Sequence, residues 1–477
     1  MAGGLQAGES PKNTASAAMA TEAAILNDFA PLILPIGSAL YNPRVQQQAY
    51  DRVFDVPTQR PWVEWPRRFY GDGIAPIGGT WLGKTNLTHP LFTVYGDFRT
   101  SVAAGRNAAG RIDNLGFRLN LDLDLQLTAT ERLHAFIGPL NRANQFTQVQ
   151  WVDDDLDWNP QLNPNLVTGF LEGDFGALMG GFDQTAAPFE LPFTVGLVPL
   201  LFQNGVWMED AAAGFAAALP ARHSVALDWS NFDVTGFVLL DRLNSPAFGR
   251  DQHAAQAFGT AAFIDAYEGY IEAGHAYLRD RHALGRSYHN LTVSFTRRYF
   301  DRISNSMRLI INAGQDLPST ERTADGGLLL IENGWVTRDA LRVFPYCNVF
   351  YGWDRPQSVA RAAVSGGILR NVGINFDTDG VNGYPTLDAS GNNTVGGTLG
   401  IDLLGQGLDR QLILELAYLA VHGNAAGRIA QGNQAAVGAR YQFPISHATL
   451  LRCDAMYGWR DREPDVFGSR IEFRWKF

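Results

Sequence analysis

The chain has 477 residues, 46% of them hydrophobic and 12% aromatic, with 50 glycines, 2 cysteines and a formal net charge of -10. Surplus acid argues against non-specific nucleic-acid binding, and Cys347 and Cys453 form neither a disulfide framework nor a metal-ligand spacing. No apolar run reaches the ~18 residues of a membrane-spanning helix; the nearest, LPFTVGLVPLLF (191–202), is short and holds two prolines. A helical membrane protein is therefore excluded, and abundant glycine and aromatic residues favour an all-β chain rich in turns.

At the N-terminus, AAILNDFAPLILPIG lacks a basic segment before it and is broken by Asp28 and prolines, so no secretory signal is recognisable; export would require a removed signal or a misplaced start. NPRVQQQAYDRVFDVP (42–57) predicts a short helix, capped by Asn42, with Pro43 in its first turn and Val45, Ala49 and Val53 on one face. RPWVEWPRRFYGDGIAPIGG (60–79) has no period and predicts an irregular segment. Residues 1–85 are thus expected to form a periplasmic or lumen-plugging segment. An irregular backbone has no place in hydrocarbon, and Trp62 and Trp65 need burial, which favours docking inside a barrel.

From about residue 90 the period becomes two. In LGFRLNLDLDLQL (115–127), Leu115, Phe117, Leu119, Leu121, Leu123, Leu125 and Leu127 alternate with Gly116, Arg118, Asn120, Asp122, Asp124 and Gln126. Thirteen residues at ~3.3 Å give roughly 43 Å, long for a soluble strand and suited to a tilted membrane strand. AFIDAYEGYIEAGHAYL (262–278) suits helix or strand and is assigned strand from context. NLTVSFTRR (290–298), SMRLIINAG (306–314), AAVGARYQF (435–443), TLLRCDAMYGW (449–459) and GSRIEFRWKF (468–477) repeat the alternation, with turn-rich connections between them. No helical inserts separate them, which predicts antiparallel pairing.

Long strands with one greasy and one ionised face predict a closed transmembrane antiparallel β-barrel over 86–477, apolar face to lipid and polar face to a wet lumen. At about 22 residues per strand and connection, the length gives about 18 strands, within 16–20. The ending Ile471, Phe473, Trp475, Phe477 resembles the C-terminal signature of Gram-negative outer-membrane β-barrels. That resemblance implies an outer-membrane location and recognition of Phe477 by the barrel-assembly machinery. The Arg-bearing strands are loosely similar to large porins of the alginate-export type.

Enzymatic motifs are absent: no Walker A loop, HExxH, GxSxG or CxxCH. His275, His282 and His289 cross a turn and suit ordinary polar placement. Asp153, Asp155 and Asp157 read as a solvated acidic loop, and Asp122 and Asp124 as pore lining rather than a catalytic pair. The phased polar face carries Arg118, Arg298, Arg308, Arg440, Arg452, Arg460, Arg470, Arg474 and Lys476 against Asp122, Asp124, Glu415, Asp454 and Glu472. A ladder of arginines favours anions; cross-strand pairing of the same charges is the equal alternative. The sequence therefore predicts a porin, not an enzyme, without cofactor or metal, passing small hydrophilic and preferentially anionic solutes. Its partners would be outer-membrane lipid and the solute, with homo-oligomerisation left open. A barrel with a blocked or partner-filled lumen is the alternative, and a barrel-borne hydrolase a weaker one.

Overall fold

The computed structural model describes residues 60–69, 77–142, 145–152, 155–164, 166–362, 365–377, 380–405, 409–424 and 428–477. The helix expected over 42–57 lies outside them.

Eighteen strands form one closed wall. The first six are β1 (Leu91–Asn107), β2 (Gly110–Gln126), β3 (Arg132–Ile137), β4 (Leu166–Asp174), β5 (Pro192–Phe202) and β6 (Met208–Ser224). Next come β7 (Trp229–Asp241), β8 (Ala255–Ala266), β9 (Gly269–Asp280), β10 (Tyr288–Tyr299), β11 (Ile303–Ala313) and β12 (Asp325–Trp335). The last are β13 (Val343–Arg355), β14 (Thr394–Leu404), β15 (Gln411–Val421), β16 (Gln434–Ser446), β17 (Thr449–Arg460) and β18 (Val466–Lys476). Each pairs antiparallel with its sequence neighbour, and β18 closes on β1 from Asp97↔Lys476 to Arg106↔Phe467. Closure leaves no strand edge in hydrocarbon, which a membrane requires.

The alternation read in 115–127 is realised. The polar residues Asn114 and Asn120 are buried inward, and the leucines between them face out. Val102, Leu291, Val293, Leu399, Leu416, Val437 and Ile471 continue the exposed apolar belt around the outside. The ambiguous 262–278 stretch is a hairpin of β8 and β9. Its two turn residues, Tyr267 and Glu268, both have positive φ (57° and 58°), which matches the twist of a tight hairpin.

The termini lie at the end with short turns such as 225–228, 267–268 and 447–448; the connections 138–165, 242–254 and 356–393 crowd the other. Short turns mark the periplasmic end and long loops the extracellular end of such barrels. Val63–Trp65 pairs with Phe92–Val94 of β1 and extends the wall just beyond the C-terminus, where the Trp62 ring lies 4.7 Å from that of Phe477. Trp62 and Trp65 remain 63% and 65% exposed there, at the height of an interfacial aromatic girdle rather than in the lumen.

One helix, α1 (Phe175–Asp183), sits at the periplasmic end. Asp174 caps it, accepting the Ala177 N–H at 2.8 Å and, through its second oxygen, the Leu191 N–H. Gly181 lets the helix close onto 82–86, where a β-carbon would collide with the Leu82 carbonyl.

The lumen departs from the expected charged and watery face. The loop 356–393 turns inward, and its Val359, Ile368, Leu369, Val372, Phe376 and Leu387 are buried against lumen-facing Leu278, Leu328, Leu330, Phe350, Leu419 and Met456. A barrel wall must be greasy inside wherever a loop covers it. This is why Leu328–Ile331 is apolar on both faces.

Candidate functional site: the loop-divided lumen

The inward loop is held on three walls. On the first, Ala360–Arg361 pairs parallel with Met208–Glu209, and the Ser358 hydroxyl donates to the Val206 carbonyl at 2.6 Å. There too the Asn290 amide donates to the Gln357 carbonyl and accepts the Trp207 indole N–H. On the second, the amides of Asn348 and the hydroxyl of Thr398 donate to the Val372 carbonyl. Buried Glu415 accepts the N–H groups of Ile374 and Asn375, the Asn375 side chain and the Tyr346 hydroxyl (2.6–2.9 Å). On the third, the Asn382 amide donates to Asn114 and to the Ser101 carbonyl, and Asn114 donates back at 3.0 Å. Apart from Glu415, the side chains of these anchors are neutral amides and hydroxyls. Buried polar groups need such partners, and the loop needs fixed ones to stay in place.

Charges gather where the loop meets β16–β18. Register places Arg440 opposite Asp454, and Asp454 opposite Arg470. The Asp454 carboxylate accepts from Arg440 (2.7 Å), Arg452 (2.9 Å) and Arg470 (2.7 Å). Asp377 of the loop takes a second bond from Arg440 (3.0 Å) and lies 3.5 Å from Arg370, which also reaches Glu209 at 3.1 Å. Lower on the wall, Arg99 and Arg474 share Glu472, and Arg474 lies 3.8 Å from Asp97. The expected neighbours Arg440, Arg452, Arg470 and Arg474 thus share one face, and each is ion-paired.

The other anticipated residues are scattered. Arg308 on β11 is buried against Glu332 (3.2 Å) and the Gln203 carbonyl. Arg298, near the periplasmic end of β10, shares the lumen face with Thr292 and Ser294. Arg460 is paired with Glu463, and Lys476 lies opposite Asp97 in the register. Asp124 is 3.8 Å from Arg132. His275 and His289 touch each other on the outer face (3.0 Å), and His282 pairs with Asp251. Asp155 and Asp157 lie in a hairpin beside β2, while Asp153 is outside the described residues.

Between the loop and the β2–β7 side, a cavity of about 1130 Å³ remains at the extracellular end. Arg118, Arg142, Arg242, Arg250 and Arg361 line it, with Asn141, Asn163 and Gln252. Its one carboxylate among the described residues, Asp210, is already engaged by the Asn244 N–H (2.7 Å) and side-chain amide (2.9 Å). Arg361 is held by the carbonyls of Gly205, Ser365 and Gly366. Burial lowers its pKa to about 10, against the opposing pull of Glu209 and with a further lowering from Arg370, so it stays charged at neutral pH. Arg118 stacks its guanidinium 5.4 Å from the Phe146 ring and donates to Asn120. Of these five, only Arg118 was legible from alternation. The others sit in loops, on the inward loop or just past a strand end, where period two gives no phase.

No protein-family model matches the sequence, and no curated protein does. Solved barrels do. The outer membrane protein OpdK of Pseudomonas aeruginosa matches with a TM-score of 0.53 at 10% identity, covering 81% of this chain and 98% of that one. A BenF-like porin from Pseudomonas fluorescens Pf-5 gives 0.52 at 9%, with the same coverage. OccK2 (OpdF) of P. aeruginosa, in complex with glucuronate, gives 0.51 at 10%, again covering 81% and 98%. The chain has the outer-membrane porin fold. At this identity the likeness is one of fold, and it carries the outer-membrane assignment together with the apolar belt. The matched barrels are not enzymes.

Proposed function

We propose that this protein is a passive outer-membrane channel for small hydrophilic solutes, with a preference for anions. The observation that carries the preference is the extracellular cavity: among the described residues five arginines line it with one carboxylate, Asp210, that is already hydrogen-bonded, and of the five Arg361 has a direct ion pair, with Glu209. Arginine rings favour anions in pores, and a matched barrel was solved with glucuronate, itself an anion. The wall arginines Arg440, Arg452, Arg470 and Arg474 contribute only the surplus left by Asp454, Glu472, Asp97 and Asp377. The finer likeness to alginate-export porins rests on the Arg-bearing strands alone; the barrels matched in structure include Occ and Opd proteins and a BenF-like porin.

The decisive measurement is reversal potential in a salt gradient across a planar bilayer. Anion preference should move it toward the chloride equilibrium value and fade as salt rises through the screening range. A reversal potential on the cation side would overturn the preference. A barrel that inserts and does not conduct would favour the alternative of a blocked or partner-enclosing barrel, which the inward loop 356–393 makes a specific competitor. Phe477, whose backbone exchanges two hydrogen bonds with Gly96, is proposed as the signal read by the assembly machinery; its deletion should lower the yield of folded barrel. Homo-oligomerisation is a further proposal, testable by cross-linking in the membrane.

A further inference from the structure

We infer that the extracellular cavity is a capture site for small polyvalent anions, one that takes a solute with two or more separated negative charges in preference to a monovalent one. This rests on the channel reading and makes it more specific. Three of the lining arginines, Arg142, Arg242 and Arg250, form no direct ion pair among the described residues, although the charge of Arg242 bears on Asp210 across the same cavity. Arg242 makes one long bond to the Leu166 carbonyl (3.4 Å). On β11 and β16–β18 the guanidiniums sit directly against carboxylates: three surround Asp454, two share Glu472, and Arg308 holds Glu332. The cavity is where that pattern stops.

Size decides whether these charges act together. A sphere of about 1130 Å³ has a radius of roughly 6.5 Å, below the ~8 Å Debye length at physiological salt. Every point inside is then within screening distance of wall charges, so an anion feels several guanidiniums at once. A monovalent ion can pair with one; a polyvalent ion can engage two or three, and each further pair multiplies the affinity. The amides of Asn141, Gln145, Asn163 and Gln252 supply additional donors around the same space.

Sidedness follows from topology. The cavity opens among the long loops, whereas Asp97, Asp122, Asp124 and Glu172 cluster on β1–β4 toward the termini. The test uses the full chain in planar bilayers, with tripolyphosphate added to one chamber at a time. Addition on the loop side should block current at a concentration at least about tenfold lower than addition on the terminus side. Replacing Arg142, Arg242 and Arg250 together with Gln should remove that difference. The corresponding triple Lys variant should retain block, and Arg279→Gln, on the outer face, should leave it unchanged. Equal block from both sides, or block that survives the triple Gln variant, would overturn the inference. If the barrel does not conduct, the channel reading fails separately. Titration calorimetry of tripolyphosphate into detergent-solubilised protein then decides the site: wild type should bind and the triple Gln variant should not.

Discussion

Two groups of arginines line the same lumen and differ in what holds them. On β16–β18, Arg440, Arg452 and Arg470 converge on the Asp454 carboxylate at 2.7–2.9 Å, with Asp454 almost wholly buried. Around the extracellular cavity, Arg142, Arg242 and Arg250 form no direct ion pair among the described residues, and Arg242 reaches the Asp210 carboxylate only at longer range. The first group is an internal ionic joint between wall and loop. The second leaves charge available to something that arrives from outside. A count of lumen arginines cannot distinguish the two, because function depends on which guanidiniums lack a partner.

The sharpest way to break this contrast is at Asp454. Removing one member of a buried ionic network is strongly destabilising, by about 3–5 kcal/mol, because the partners are left uncompensated. Asp454→Asn is nearly isosteric and keeps the hydrogen-bonding volume, so the loss reads charge. We expect the urea midpoint of the folded barrel, followed by its heat-modifiable gel mobility, to fall markedly, or folded yield to collapse. A midpoint unchanged from wild type would mean that the three arginines are hydrated independently, and the wall would then belong with the vestibule.

A second variant separates the loop's position from the charge beneath it. Asn382 ties the loop to β1 and β2 through Ser101 and Asn114, and all three are buried. Asn382→Ala keeps the backbone carbonyl that accepts the Asn114 N–H but leaves the Asn114 side-chain oxygen and the Ser101 hydroxyl without their partner, at a penalty of about 1–3 kcal/mol. The expectation is a noisier, larger single-channel conductance with anion preference retained, since Arg142, Arg242, Arg250 and Arg361 are carried by segments other than the Asn382 anchor. Unchanged conductance would show that the loop's other two anchorages suffice.

The architecture was legible because lipid imposes a strict rule: one apolar face of fixed length on every strand, and closure of the sheet. Leu115–Leu127 and Ile471–Phe477 obey it, and the strand number follows from chain length. The inward loop was not legible. DTDGVNGYPTLDASGNNTVGG reads as turns whichever way it folds, and the matching signal is dispersed over lumen-facing Leu328, Leu330, Phe350 and Leu419, residues distant in sequence. Helix α1 left a fainter trace in Asp174 before the run FGALMGGF, an N-cap ahead of an apolar segment. The wall arginines could be phased, but Asp454 shares a strand only with Arg452, and its hold on Arg440 and Arg470 depends on register. Arg142, Arg242, Arg250 and Arg361 lie where alternation has ended, so the positions that best support anion capture were the ones periodicity could not assign.

The smallest expected effect is the most discriminating for the comparison. If Arg242 and Arg250 are unpaired, replacing both with Gln should change stability by no more than about 0.5 kcal/mol each, as for surface substitutions away from a packed or paired feature. The check is the same urea titration used for Asp454→Asn, run in parallel on the double variant. A midpoint within error of wild type, beside a clear fall for Asp454→Asn, would show that one lumen arginine group stabilises the fold and the other does not. A loss in the double variant comparable to that of Asp454→Asn would mean these guanidiniums are structural partners, and the vestibule would have no spare charge to offer a solute.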